Sequence, residues 1–250
     1  MPGSPAALLL VLALQAPSAA DGASPVQARE PDRPVTHLFQ NLVRDIVRLP
    51  SPGSALILAA GSAGSLGIRP VDDNLQTWAA EQGPANYTTF GRRLGDGWVQ
   101  GGASLATYGV GLIVHRPAVT HLGSDLVRAQ VLNALITRVT KAAVGRRRPG
   151  GSHDSFPSGH ASATFASAAV LGEHFGWKAG IPAYAVAAYV GWTRVRDQAH
   201  WGTDVVIGAT VGTIVGYTVS RGHRDHSWVL LPAASPRQAS LTVVWTPGPR

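Results

Sequence analysis

Apolar residues recur along most of this chain at helical rather than strand spacing. From Thr36 onward, Leu38, Phe39, Leu42, Val43, Ile46 and Val47 fall on one face of a 3.6-residue period, and Pro50 and Pro52 stop the pattern. A helix of this kind is expected to pack its apolar face on a core more often than to lie in a membrane interface. Uncharged runs follow at 51–68, 97–114, 155–172, 179–193 and 205–220, all rich in Gly, Ala, Ser and Thr, a composition that suits close helix contact in water or in lipid. The stretch 124–144 predicts an amphipathic helix capped by Ser124, whose Asp125, Arg128 and Lys141 argue against full lipid exposure. Between these runs, 70–96 reads as a connecting loop with a short helix over 74–81. No strand pattern precedes the tail, where Leu241, Val243 and Trp245 alternate with Thr242 and Val244 as one short edge strand or as unstructured chain. The pattern predicts an all-α helical bundle whose site forms where helix ends meet.

The N-terminus modifies this picture. An apolar run over 6–16 precedes Pro17 and the small residues Ser18, Ala19 and Ala20, the arrangement of a secretory signal peptide cleaved after Ala20. The run is shorter than the about 20 residues of a spanning helix, although an uncleaved anchor is the alternative. The expected organisation is a signal peptide over 1–20, a linker over 21–35, a helical domain over 36–222 and a tail over 223–250. The expected location is outside the cytoplasm, in the periplasm or in the cell membrane with the site facing outward. The internal runs lie at or below spanning length and leave soluble and membrane-embedded forms both open.

The chain has 250 residues, of which 45% are hydrophobic and 14% charged, which excludes a disordered protein and allows one substantial core. Cysteine is absent, so disulfides, thiolate metal sites and a cysteine nucleophile are excluded. The formal net charge of +7 suggests anionic partners without choosing among them.

Three clusters carry the candidate chemistry. Lys141 and Arg148 stand seven residues apart, close to two turns, so a continuing helix would present both cations on one side to a phosphate. Taken alone, they would only complement a helix C-terminus. Pro157, Ser158, Gly159 and His160 precede a helical run: Ser158 can cap it, the Gly159 backbone can approach an anion, and His160 would stand beside a bound phosphate to protonate a departing alkoxide. Thr193, Arg194, His200 and Asp204 form the third cluster. The four-residue spacing of His200 and Asp204 lets the acid accept a hydrogen bond from the imidazole, whose other nitrogen is then a nucleophile. Arg194 reaches the same ligand only if the helix breaks near Asp197 and Gln198. Each cluster alone has an ordinary structural explanation, but together they supply every part of in-line phosphoryl transfer.

In type, spacing and order, these residues resemble the signature K-x6-R-P, P-S-G-H, S-R-x5-H-x3-D of the type-2 phosphatidic acid phosphatase and vanadium haloperoxidase superfamily. The motif core covers 141–204, with Thr193 in place of the usual Ser. The resemblance implies that His200 attacks phosphorus to form a phosphohistidine, His160 protonates the leaving oxygen, and Asp204 holds the tautomer of His200. It also implies that Lys141, Arg148, Arg194, Ser158 and the Gly159 amide stabilise the phosphate oxygens. No metal or other cofactor is implied for a phosphatase, and vanadate would act there as an inhibitor. The expected substrate is a lipid phosphate or a small phosphomonoester, with membrane association open and nucleic acid not expected as a partner. Arg146 and Arg147 are expected to tune the local potential or meet anionic surfaces. Two alternatives stand beside the phosphatase: a haloperoxidase holding vanadate as its cofactor through His200, and a non-catalytic envelope protein.

Overall fold

A computed structural model describes residues 35–82, 86–221, 227–235 and 238–246. The expected signal peptide and the linker through residue 34 lie outside the described residues. Among those described, nine α-helices follow one another: α1 (Val35–Arg48), α2 (Pro52–Ile68), α3 (Asp72–Glu81), α4 (Asn86–Leu94), α5 (Gly97–Ile113), α6 (Pro117–Val144), α7 (Gly159–Phe175), α8 (Trp177–Arg196) and α9 (Gly202–Arg221). They lie in one compact unit and form the expected all-α bundle. A separate unit holds an antiparallel hairpin of β1 (Ser227–Ser235) and β2 (Gln238–Thr246), with Ser227 opposite Thr246 and Ser235 opposite Gln238. Two strands therefore stand where at most one was expected. The run Val229, Leu230, Leu231, Pro232 in β1 has no period-2 alternation to reveal it.

The core joins α6, α7 and α9 through Leu126, Leu132, Val170, Val215 and Val219. The tightest seam lies between α7 and α9, where glycines on α9 recur every fourth residue. A Cβ on Gly208 would stand 2.5 Å from the Ser158 carbonyl oxygen, on Gly212 2.1 Å from that of Ser162, and on Gly216 2.5 Å from that of Ala166. Both rows advance by four residues, so the helices meet backbone to backbone, as small-residue interfaces permit.

Several local expectations change. Helix α6 starts at Pro117, whose fixed φ suits a first helical position, and Ser124 is buried within it rather than capping it. The segment 70–96 is mostly helical, with a 3₁₀ turn at Arg69–Val71 leading into α3, and with α4 beyond it.

Helix α1 turns its apolar side outward, with Phe39 and Val47 largely exposed and Asp45 buried. The cause is an ion pair from Asp45 to the buried Arg128 of α6, which fixes the polar side of α1 against the bundle. Helix α6 buries polar residues beside its core residues Leu126 and Leu132. Asp125, Arg128, Gln130 and Asn133 are buried while Val131, Leu135 and Val139 are exposed. Helix α2 has no buried residue despite its apolar composition, and Pro52–Glu81 and Gly202–Arg221 are long and apolar enough to cross a membrane.

Candidate active site

Antiparallel packing brings the C-termini of α6 and α8 and the N-termini of α7 and α9 to one end of the bundle, where all three sequence clusters sit. The uncompensated amides of two helix N-termini favour an anion there. Helix α6 stops at Gly145, which adopts a left-handed conformation (φ 58°), so Arg148 is presented by a loop and not by the helical continuation expected from the spacing. Lys141 donates to the Asp154 carbonyl at 2.5 Å and Arg148 to the His153 carbonyl at 3.1 Å. Among the described residues neither cation has a carboxylate within ion-pair distance, and both act electrostatically on His200.

Ser158 caps α7, accepting from the Ala161 amide at 3.4 Å, and is fully buried. Its own amide donates to the Asp204 carbonyl at 3.0 Å, so Ser158 locks α7 to α9. The Gly159 and His160 amides occupy the first turn, where helix geometry supplies no acceptor. The position of a Cβ on Gly159 is open, leaving room for a ligand to approach that backbone. His160 lies against Gly95 in the link between α4 and α5, where a Cβ would stand 3.0 Å from its own Cβ. Its Nε2 is buried without a hydrogen-bond partner, the kind of orphaned atom that calls for a ligand.

The helix break expected near Asp197 is present: α8 ends at Arg196, Gln198 takes φ 54°, and His200 precedes α9. Arg194 is almost completely buried and pairs with Asp197 while also donating to the Thr193 hydroxyl at 3.3 Å.

The His200 imidazole differs from expectation. Its Nδ1 lies 2.6 Å from the Ser155 carbonyl, whereas the nearer Asp204 oxygen is 3.9 Å away. A carbonyl only accepts, so Nδ1 carries the proton and Nε2 presents its lone pair. Asp204 is committed elsewhere: Oδ2 accepts from the Ser155 hydroxyl and from the Trp201 amide at 3.0 Å, the latter as the acid of a capping box, and Oδ1 accepts from Arg146 at 2.7 Å. It therefore acts on His200 through its field and through Ser155.

Burial, reinforced by Lys141 and Arg148 and opposed by Asp204, holds the His200 pKa below the ordinary histidine range. Burial and then Arg194 bring His160 down to about 4.

Several participants escaped sequence reasoning. Arg146, expected to tune the local potential or to meet anionic surfaces, binds Asp204 and the Thr203 hydroxyl, each at 2.7 Å, and lies over the Trp201 ring. Only the basic run 146–148 marked it, without telling which arginine turns inward. Ser155 supplies the acceptor for His200, and Gln76 of α3 donates to the His200 carbonyl at 2.8 Å from a position 124 residues earlier in the chain. No local pattern marks either residue.

The PAP2 superfamily model matches residues 112–228, a stretch containing all three sequence clusters. The match supports, over that stretch, the resemblance to the type-2 phosphatidic acid phosphatase superfamily. The chain is 33% identical over 99 residues to a lipid A 1-phosphatase of Porphyromonas gingivalis, covering 38% of this chain and 22% of that protein. To the lipid A 1-phosphatase of Rhizobium etli it is 32% identical over 113 residues, 38% of this chain and 47% of that one. The chain thus spans less than half the length of these curated relatives. Among solved structures, Aquifex aeolicus LpxE aligns with a TM-score of 0.49 and 21% identity over 60% of this chain and 94% of that one. A transmembrane PAP2-type phosphatidylglycerolphosphate phosphatase from Bacillus subtilis aligns with a TM-score of 0.49 and 20% identity, over 74% and 92%.

Proposed function

We propose that this protein is a phosphatase that removes phosphate from a membrane lipid through a phosphohistidine on His200. The observation that carries the reading is the hydrogen bond from His200 Nδ1 to the Ser155 carbonyl, which leaves Nε2 of this buried residue as an unprotonated nucleophile in the field of Lys141 and Arg148. Nε2 attacks phosphorus in line, the P–O ester bond breaks, and its electron pair leaves on the alkoxide, which takes a proton from His160. Water then attacks the phosphohistidine, inorganic phosphate departs, and the water proton returns to His160. The Asp204 carboxylate stabilises the imidazolium that develops during attack, and the side-chain cations with the first-turn amides of α7 hold the equatorial oxygens. Those cations supply the charge stabilisation that a metal gives in other phosphatases.

Before substrate arrives, His160 is neutral at pH 7 because burial and Arg194 depress its pKa. A phosphate dianion placed between His160 and the cations reverses that local field, so substrate binding itself raises His160 toward its proton-bearing form.

A lipid substrate is supported by the surface and by a groove. Apolar side chains cover the outside of α1, α2, α5 and α6, as a membrane-embedded chain requires. A cavity of about 420 Å³, lined by Leu94, Ser104, Thr164, Leu171 and Val186, opens one turn along α7 from His160 and fits an acyl or isoprenyl chain. The lipid A phosphatases among the relatives point to the same class. The site is placed outside the cytoplasm, consistent with the secretory character of residues 6–20.

The test is phosphate release by purified protein from vesicles carrying phosphatidate, compared with a soluble aryl phosphate, with chelator present and with His200→Ala as control. Release that depends on His200 and survives chelation supports the reading. Vanadate-dependent halide oxidation without phosphate release would replace it with the haloperoxidase alternative.

A further inference from the structure

A second cluster of chemically active side chains lies at the opposite end of α6 and α7. His121 and Asp125 are four residues apart on α6 and so share a face, and His174 approaches from the last turn of α7. His174 Nε2 lies 2.9 Å and His121 Nε2 3.5 Å from the same oxygen, Asp125 Oδ2, and the three atoms all fall within 4.8 Å of one another. Asp125 is fully buried, whereas the His121 and His174 side chains are 24% and 16% exposed, so the cluster has a solvent side.

We propose that His121, Asp125 and His174 form a structural site for a divalent transition metal of the zinc class. Three features carry this. The donor set is two imidazole nitrogens and one carboxylate oxygen, a combination that zinc favours. The spacing is close: with ligand bonds of about 2.0–2.2 Å, the edge of a tetrahedral site is ~3.3–3.6 Å; the His121 separation of 3.5 Å falls in that range and the His174 separation of 2.9 Å must open by a few tenths of an ångström to reach it. The surrounding charge also fits. Arg128 binds Asp125 through Oδ1 and Asp45 through its other terminal nitrogen, so the two buried carboxylates share one guanidinium. Arg128 also fixes the Asp125 carboxylate so that Oδ2 faces the histidines, the outer-shell support that metal-ligating carboxylates use.

The site is not catalytic. Twenty residues of α6 separate His121 from Lys141, about 30 Å of helix. A bound ion would instead tie the start of α6 to the end of α7, next to the contact that holds α1 through Asp45.

The experiment uses the full chain purified in detergent, stripped with chelator and returned to Zn²⁺, or to Co²⁺ as a spectroscopic probe. The expected result is one Zn²⁺ retained per chain after gel filtration, a raised Tm, and the visible absorption of four-coordinate Co²⁺. His121→Gln and His174→Gln keep a donor for Asp125, and therefore the fold, but remove a strong ligand; each should weaken Zn²⁺ binding by at least ~100-fold. His200→Ala should leave metal uptake unchanged while abolishing phosphate release, which separates failure of this site from failure of the phosphatase reading. Uptake by the wild type no greater than by His174→Gln, or uptake lost in His200→Ala, would overturn the proposal and leave an ordinary hydrogen-bonded His–Asp–His cluster.

Discussion

Helices α6 and α7 carry a buried polar cluster at each end, and the two clusters have opposite charge requirements. At one end Lys141 and Arg148 have backbone carbonyls but no carboxylate partner, and His160 Nε2 has no partner among the described residues. At the other end two carboxylates, Asp45 and Asp125, share Arg128 while two histidines converge on one oxygen. The same residue types therefore build a cation-lined end and an end where two carboxylates share one guanidinium. What distinguishes a catalytic histidine from a structural one here is its acceptor. The His200 nitrogen that faces the fold meets a neutral carbonyl, so its other nitrogen stays nucleophilic, whereas both distal histidines direct Nε2 toward a carboxylate.

The comparison can be broken most severely at His200. His200→Ala should lower phosphate release by at least ~10³-fold, as loss of a nucleophile does, with the fold intact by circular dichroism. Lys141→Ala and Arg148→Ala come next: each removes a cation with no carboxylate to compensate, and kcat should fall about 10²–10³-fold in steady-state assays. Gly212→Ala tests the seam on which both ends depend. Its methyl would stand 2.1 Å from the Ser162 carbonyl oxygen, so a loss of about 1–3 kcal/mol is expected in denaturation, without a selective effect on chemistry.

A smaller effect concerns pH. The nucleophile must be unprotonated, and burial depresses the His200 pKa, so the acid limb of kcat/KM should lie below pH 6.5. Asp204 opposes that depression, so Asp204→Asn should move the limb further toward acid while lowering kcat. The smallest expected effect is at the far end, where His174→Gln should leave kcat unchanged.

Much of the bundle was legible because small-residue runs and helix-stopping prolines mark helices without reference to partners; the runs 51–68 and 97–114 match α2 and α5 closely. Helix direction was less legible. The faces of α1 and α6 read as ordinary amphipathic surfaces, yet Asp45 and Arg128 find each other across 83 residues and turn that of α1 around. A periodicity defines a face but not the side on which water or lipid lies. At the site, residues whose spacing is set by local turns were readable: Ser158 as a cap, and the break after Arg196. A four-residue spacing suggests a direct link from His200 to Asp204, but α9 begins only at Gly202 and the spacing is not helical at His200. Ser155 then fills the gap with its backbone, and a backbone carbonyl leaves no mark in a sequence.

Acid-sensitive phosphoenzyme trapping tests the central claim most directly. Protein mixed with a labelled lipid phosphate and quenched in alkali within one turnover should carry label on His200, stable to base and lost in acid, with none in His200→Ala. Phosphate release at full rate with no label on His200, or label retained in His200→Ala, would contradict the account.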